Sequence, residues 1–236
     1  MKIFASFFLL GLCFLQTARA DLTIVQKIEG SGQPAEMIMK IKGDKSRVDV
    51  TPQLATIFDS KTGETLQLMK EEKAVVKMSA EKMKGMADAM KKYTGQTETV
   101  EKPKLKPTGK KEVINGLETE EYTAEGPTFK ASYWIAPKYP DGAAILKQLQ
   151  VINSAVADPG NFGVPNFNDL PGVPVKTVVS MSGTQITSTL VSIKQDPVND
   201  SEFAVPKDFK EVQMPEVGGM LPGAATKPGA NGSPKP

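Results

Sequence analysis

The side chains that carry most hydrolytic, redox and acid–base chemistry are scarce in this sequence. Its 236 residues hold no histidine and one cysteine, Cys13. Sites that need an imidazole or thiolate as base, nucleophile or metal ligand are therefore closed to everything after residue 13. Serine, aspartate, glutamate, lysine and tyrosine remain. No G-x-S-x-G elbow, phosphate loop or calcium-loop spacing arranges them. Glu120 and Glu121 are neighbours on opposite faces of an alternating run, so they cannot work as a carboxylate pair. No catalytic residue, metal or cofactor is expected.

What remains is suited to binding. Met83, Met86, Ala87 and Met90 recur at i, i+3, i+4 and i+7, one stripe of a helix. Such a stripe ordinarily packs on a sheet, but methionine also lines grooves that adapt to apolar ligands such as acyl chains. Thioethers, with Met37, Met39, Met69 and Met78 added, are soft enough for Cu(I), yet without histidine a copper site is not expected. Arg47 is the only arginine beyond residue 20. It is either a surface charge paired with Asp49 on its own face or, on a curled sheet, the fork that holds a carboxylate or phosphate head group. Trp134 and Tyr139 in "YWIAPKYP" mark a ligand mouth or cover a sheet edge. Phe162 and Phe167 sit in the Gly/Pro/Asn-rich stretch 157–172, a lid or partner contact unless both rings are tucked into the core. The candidate ligand-binding residues are thus Arg47, Met83, Met86, Met90, Trp134, Phe162 and Phe167.

The elements that must position them read as strands. "AEMIMKIK" puts Met37, Met39 and Ile41 on one face and Glu36, Lys40 and Lys42 on the other, the mark of a half-buried antiparallel strand. "SRVDV", "LATIFDS", "ETLQLMK" and "KAVVKM" continue a meander to residue 78. Ser79 caps the methionine helix. Residues 94 to 108 form an exposed connection with two prolines and few apolar residues. Asn115-Gly116 between two alternating runs is a hairpin signal. "TFKASYWIA" turns Phe129, Ala131, Tyr133 and Ile135 inward. Asp141 opens a second helix with Ile145, Leu149, Ile152 and Val156 on one stripe, and a hairpin turning at Ser182-Gly183 follows. Residues 213–236, rich in Gly, Pro and Ala, are expected to be a disordered tail.

The first 20 residues have the three parts of a secretory signal. Lys2 leads, Ile3 to Leu15 is an apolar run too short to span a bilayer, and Ala18-Arg19-Ala20 is a small-x-small cleavage site before Asp21. Cys13 lies inside the apolar run after Leu12, a poor context for lipidation. Cleavage removes Lys2 and Arg19 and leaves 27 basic against 27 acidic groups. That zero balance argues against nucleic acid. No disulfide is available, and no later run is long enough for a transmembrane helix. The expectation is a periplasmic or extracellular protein with one domain at 21–212.

Several segments, in order, resemble a family. "MKIKGDKSRVDV", "GKKEVINGLETEEYT", "YWIAPKYP", "PGVPVKTVV" and "VSIKQDPVNDSEFAVPKDFKEV" are similar to the strand pairs of a domain-of-unknown-function family of secreted bacterial envelope proteins, itself akin to the LolA/LolB lipoprotein carriers. The resemblance covers about residues 22 to 212. It departs at Leu117-Glu118-Thr119, where a tyrosine and cysteine are usual, and in the 157–172 loop. It implies a mainly β (α+β) fold: a strongly curved antiparallel sheet, an unclosed half-barrel, with two helices covering its concave side. It also singles out Arg47, because an arginine recurs at that strand position in the family's pattern. Two functions follow as expectations. One is a non-enzymatic binder or carrier of a lipid or acylated protein; the other is a structural or interaction protein with a self-filled core and an envelope protein as partner. The intact mass of the exported protein is expected to correspond to a chain starting at Asp21, and a mass carrying an acylated Cys13 would overturn the cleavage site.

Overall fold

The computed structural model describes residues 21–30, 32–94, 103–126, 128–155, 166–181 and 183–213. Six short strands open the chain: β1 (Leu22–Glu29), β2 (Ala35–Lys42), β3 (Lys45–Asp49), β4 (Leu54–Asp59), β5 (Glu64–Met69) and β6 (Ala74–Met78). Their period-two alternation and tight turns make each strand pair with the next. Helix α1 (Ala80–Thr94) follows, capped as the sequence suggested: Ser79 Oγ accepts from the Lys82 amide at 3.2 Å. Then come β7 (Lys106–Ile114), β8 (Leu117–Glu125), β9 (Phe129–Ala136), helix α2 (Gly142–Ala155), β10 (Val173–Met181), β11 (Thr184–Lys194) and β12 (Lys210–Glu211).

All twelve strands form one sheet in the order β12-β6-β5-β4-β3-β2-β1-β11-β10-β9-β8-β7. Only β12 is parallel to its neighbour; the other pairs are antiparallel. The two ends, β12 and β7, do not pair with each other, so the sheet stays open. The fold is mainly β with two helices. The first strand lies in the middle, pairing β2 on one side and β11 on the other.

Cross-strand partners share a face, which allows the sides to be read across the sheet. Leu22, Ile41, Ser46, Phe58, Thr65 and Met78 form one continuous row from β1 to β6. Tyr133, Thr177, Ser188, Ile28 and Ala35 form another from β9 to β2 on the same side. Helix α2 lies against this side: Ile145 and Leu149 cluster with Leu22, Ile24 and Ile41, and its Leu146 reaches the β9 cluster of Phe129, Ala131, Tyr133 and Ile135. We call it the helix face. Burial there pushes the Tyr133 phenol up to about 12. On the other, outer face, Ala55, Ile57, Leu68 and Val75 are covered by Val198 and Phe203 from the chain after β11. Among the α1 residues whose side chains are described, none belongs to these three clusters.

The sheet curls at its far end. Asn115 and Gly116 both take positive φ (51° and 77°), the two-residue turn expected between β7 and β8. The Asn115 amide then donates to the Leu190 carbonyl of β11 at 2.8 Å. Four interstrand steps separate β7 from β11, about 19 Å on a flat sheet. The hairpin therefore bends back until its turn closes on β11. It can do so because β10 leaves β11 beyond the Lys176–Thr189 pair, which frees the carbonyl edge at Leu190.

One expectation is corrected in part. The exposed connection foreseen at 94–108 is shorter than that: α1 runs to Thr94 and β7 begins at Lys106. β7 is an edge strand whose first eight residues are all exposed, so only its end, beside the Asn115-Gly116 turn, was announced by alternation. Pro107 is tolerated because an edge strand leaves one side of its backbone unpaired. The signal segment 1–20 and the tail from 214 lie outside the described residues. Asn115→Gly keeps the turn conformation and deletes only the amide. It is expected to cost about 1 kcal/mol in urea unfolding. Asn115→Ala should cost about 1–2 kcal/mol more, because alanine resists positive φ. Equal stability of Asn115→Gly and the parent would show that the Leu190 bond does not hold the curl.

Candidate functional site

The helix face has an unusual composition. From β9 through β11 and β1 to β6, nine strands, the side chains on that face include no Asp, Glu, Lys or Arg. Methionine, isoleucine, valine, threonine, serine and glutamine fill it. Half-buried Ile28, Met37, Met39, Val48, Val179 and Met181 lie on it, and Ile186 is 40% exposed. Nine strands span about 38 Å. Helix α2 has 14 residues, so it is about 21 Å long and about 10 Å across. The neutral face is wider than its helix. Two hydroxyl oxygens on this face, Thr65 Oγ1 and Ser188 Oγ, are buried with no hydrogen-bond partner, and a buried unpaired hydroxyl is costly.

A cleft of about 420 Å³ opens where α2 begins, lined by Tyr139, Pro140, Ile145, Val175, Leu190 and Ile193 among others. Ile145, Val175 and Leu190 also belong to the buried α2 cluster, so the cleft leads directly to the apolar interior.

The outer face carries a different groove, of about 870 Å³. Its floor is two cross-strand rows: Thr123–Ser132–Val178–Thr187–Glu29, and beside it Trp134–Lys176–Thr189. Glu112 to Asn115 of the curled hairpin form its wall. The Lys176 ammonium sits 4.5 Å from the centroid of the Trp134 ring. Next to Trp134 in its row, Glu121 is buried. It accepts from the Thr108 hydroxyl at 2.9 Å and meets Lys110 at 3.3 Å. A backbone irregularity in β7 between Pro107 and Lys111, with Gly109 at positive φ, lies where both groups are presented.

The candidate residues do not converge on one place. Phe167 packs beside α2, in a 3₁₀ turn at Phe167–Asp169. Met83 and Met86 are half-buried on α1; the Met90 side chain and Phe162 lie outside what the structure describes. Trp134 alternates with Tyr133 and Ile135 and so belongs to the outer groove. Arg47 is also on the outer face, paired across the ladder with Lys40 and Ile57. Its guanidinium grips Asp49 with two bonds of 2.8 and 3.0 Å and donates to the Glu202 carbonyl at 2.9 Å. Lys70 reaches the same Asp49 carboxylate at 2.7 Å. The fork that could hold a ligand's head group is engaged by the chain itself, and it pins the turn that carries Phe203 over the outer-face cluster. Asp49 was visible as a partner two residues away; Glu202, 155 residues distant, left no local signal. Lys176 and the groove's hydroxyls were also missed, because only strand register brings them together.

Among the described residues no cluster of three acidic or thiol groups could hold a metal. No helix there is long and apolar enough to cross a membrane.

Comparison with known proteins gives the following. The model of a family described as a domain of unknown function, DUF4412, matches residues 20–209. No curated protein matches the sequence. Among solved structures the chain is similar to PNGF-II at 14% identity and TM-score 0.41, covering 83% of this chain and 32% of that one. It spans about a third of the PNGF-II chain. It is similar to the lipoprotein LppX of Mycobacterium tuberculosis at 12% identity and TM-score 0.34, covering 76% of this chain and 88% of that one. It is also similar to the MucA/MucB complex of Pseudomonas aeruginosa at 9% identity and TM-score 0.40, covering 84% and 60%.

The Arg47 network makes a pH prediction. Burial pushes the Asp49 carboxyl up, but the hydrogen bonds from Arg47 and Lys70 outweigh it and leave the group below its ordinary value of 3.8. A carboxyl lowered by folding contributes stability that is present above its ordinary value and is lost as pH falls through the lowered one. Asp49→Asn is expected to lose about 1–2 kcal/mol at pH 7. Its urea midpoint should then fall less steeply than the parent's below about pH 4. Parallel acid limbs for the two proteins would show that Asp49 is not a source of the acid sensitivity.

Proposed function

We propose, from the premise that this chain belongs to the DUF4412 family of domains of unknown function, that it is a non-catalytic protein of the cell envelope that binds the apolar chain of a lipid or an acylated protein. The observation that carries this reading is the uncharged helix face, too wide for α2 to cover and still half-exposed at Ile28, Met37, Val179 and Met181. Antiparallel sheets normally turn charged side chains to water on any face that is not core. A nine-strand span with none is a surface built to meet apolar matter.

The mechanism is passive. An acyl chain enters by the cleft between Tyr139 and Ile193 and lies along the methionine and isoleucine rows. Each buried methylene contributes about 0.8 kcal/mol. Met37 and Met39, unbranched and polarizable, adapt to its shape. Met83 and Met86 on α1 would close over the chain, with Phe167 at the rim. Arg47 could take a head group only by releasing Asp49 and the Glu202 carbonyl, so we assign it to holding the fold. The secretory signal read in residues 1–20 supports an envelope location. The competing reading, a self-filled interaction protein, draws on the tight seat of Ile145 and Leu149 in the core.

A fluorescent fatty acid separates the two. It is expected to bind the mature protein at low-micromolar concentration, roughly the affinity that burying several methylenes supplies. Ile186→Glu, at a position open enough to accept the change without unfolding, should weaken binding by roughly tenfold or more. Met37→Gln should weaken it less. Absence of binding at high micromolar probe, with the protein folded, would favour the self-filled reading.

A further inference from the structure

The groove on the outer face is not explained by an acyl ligand. We propose that it is a second site, one that binds a neutral polyhydroxylated chain, an oligosaccharide. The inference is independent of the lipid reading, since its residues point off the opposite side of the same strands.

Four observations carry it. The first is size: about 870 Å³ is within the range of small-molecule pockets. The second is its chemistry. Hydroxyls and side-chain amides outnumber charged groups along it, with Thr123, Ser132, Thr187, Thr189 and Gln185 as the central members. Such side chains both donate and accept, which is what sugar hydroxyls require and what an acyl chain cannot use. The third is charge. Glu29 is paired with Lys27 at 2.8 Å and Glu125 with Lys130 at 3.5 Å. What is left is Glu112 on the wall and Lys176 on the floor, one of each sign, so the groove selects neither a polyanion nor a polycation. The fourth is the aromatic platform. Trp134 is the only tryptophan in the chain, and the group over its ring is a lysine ammonium. A half-exposed cation–π contact is worth about 0.5–1 kcal/mol. A ligand that lays its C–H face on the ring can displace it at little cost and leave the ammonium to donate to a ring hydroxyl.

The single tryptophan makes the test direct. Tri-N-acetylchitotriose titrated into the full mature chain is expected to change Trp134 emission saturably, with half-effect at about 1 mM or below. Glu112→Gln and Gln185→Ala, both exposed positions that leave the core untouched, should each raise that concentration about fivefold. Lys176→Met should change the emission of the free protein and reduce the further change on binding. No saturable change in either emission or titration heat, with folded protein, overturns the proposal. So does an unchanged response in both groove variants, or a response to a neutral Gly/Ser peptide with none to the trisaccharide. Fatty-acid binding, measured in the same samples, succeeds or fails independently of the groove, because the two ligands meet opposite faces.

Discussion

Everything in this molecule depends on the pairing of β1 with β11. The meander β1–β6 and the block β7–β11 are separate in sequence, and β1 joins them by pairing β2 on one side and β11 on the other. Because side chains alternate with period two, a slip of one residue at this seam would turn one half of the sheet inside out relative to the other. The seam contains its own adjustment. Val25 pairs with Ser192 and Gln26 with Leu190, so Val191 is left over. That irregularity keeps Ile193 and Ser188 on one face although they are five residues apart, because their partners Ile24 and Ile28 are four apart on β1. At the end of the seam Gly30, with φ of 99°, lies so close to the Gln185 carbonyl that a β-carbon would collide with it.

Once the seam is set, the two faces have separate problems. The helix face is neutral, and α2 buries its middle. The outer face is divided. Over β4–β6 it is apolar and must be covered, and the strap after β11 does so with Val198 and Phe203. The strap is held by charge: Lys42 donates to the Val198 carbonyl at 2.8 Å, Asp21 accepts from the Val198 amide at 2.8 Å, and Arg47 holds Glu202. These ties are partly buried and multiply bonded, which separates them from surface ion pairs of little value. Over β8–β11 the outer face is polar and needs no cover, and there the curled hairpin leaves a groove in place of a core.

How much of this was legible follows from distance along the chain. Asn115-Gly116 could be read because a turn is a local event and two residues suffice to encode it. The inward set Phe129, Ala131, Tyr133 and Ile135 could be read because one buried face imposes its alternation on a single strand. Arg47–Asp49 is an i, i+2 pair on one strand and was visible for the same reason. The start of β7 was hidden because an edge strand exposed on both faces has no apolar periodicity to show; only its end, beside the Asn115-Gly116 turn, could be read. The strap was hidden because its anchor at Glu202 is specified by shape and charge 155 residues away. Trp134 stood out as a residue, but its setting did not. Its neighbours Glu121, Lys176 and Thr189 come from three other strands, and only the register brings them together.

The same alternation limits how the faces can influence one another. On β10, Thr177 and Val179 face the helix side while Lys176 and Val178 face the groove. No β10 side chain serves both, so on this strand ligands on the two faces do not compete for the same side chain. What they share is backbone. β10 is hydrogen-bonded to β11 only from Lys176 onward, and its first residues hold to β9 alone. The Asn115–Leu190 bond bridges that split and contributes to the lining of both the groove and the cleft beside α2. It is a single neutral hydrogen bond, worth about 1 kcal/mol. A ligand that widened the cleft would strain it, and so would one that pushed the hairpin wall outward. Any coupling carried by this bond between the faces is therefore bounded at about that energy, a factor of roughly five in affinity.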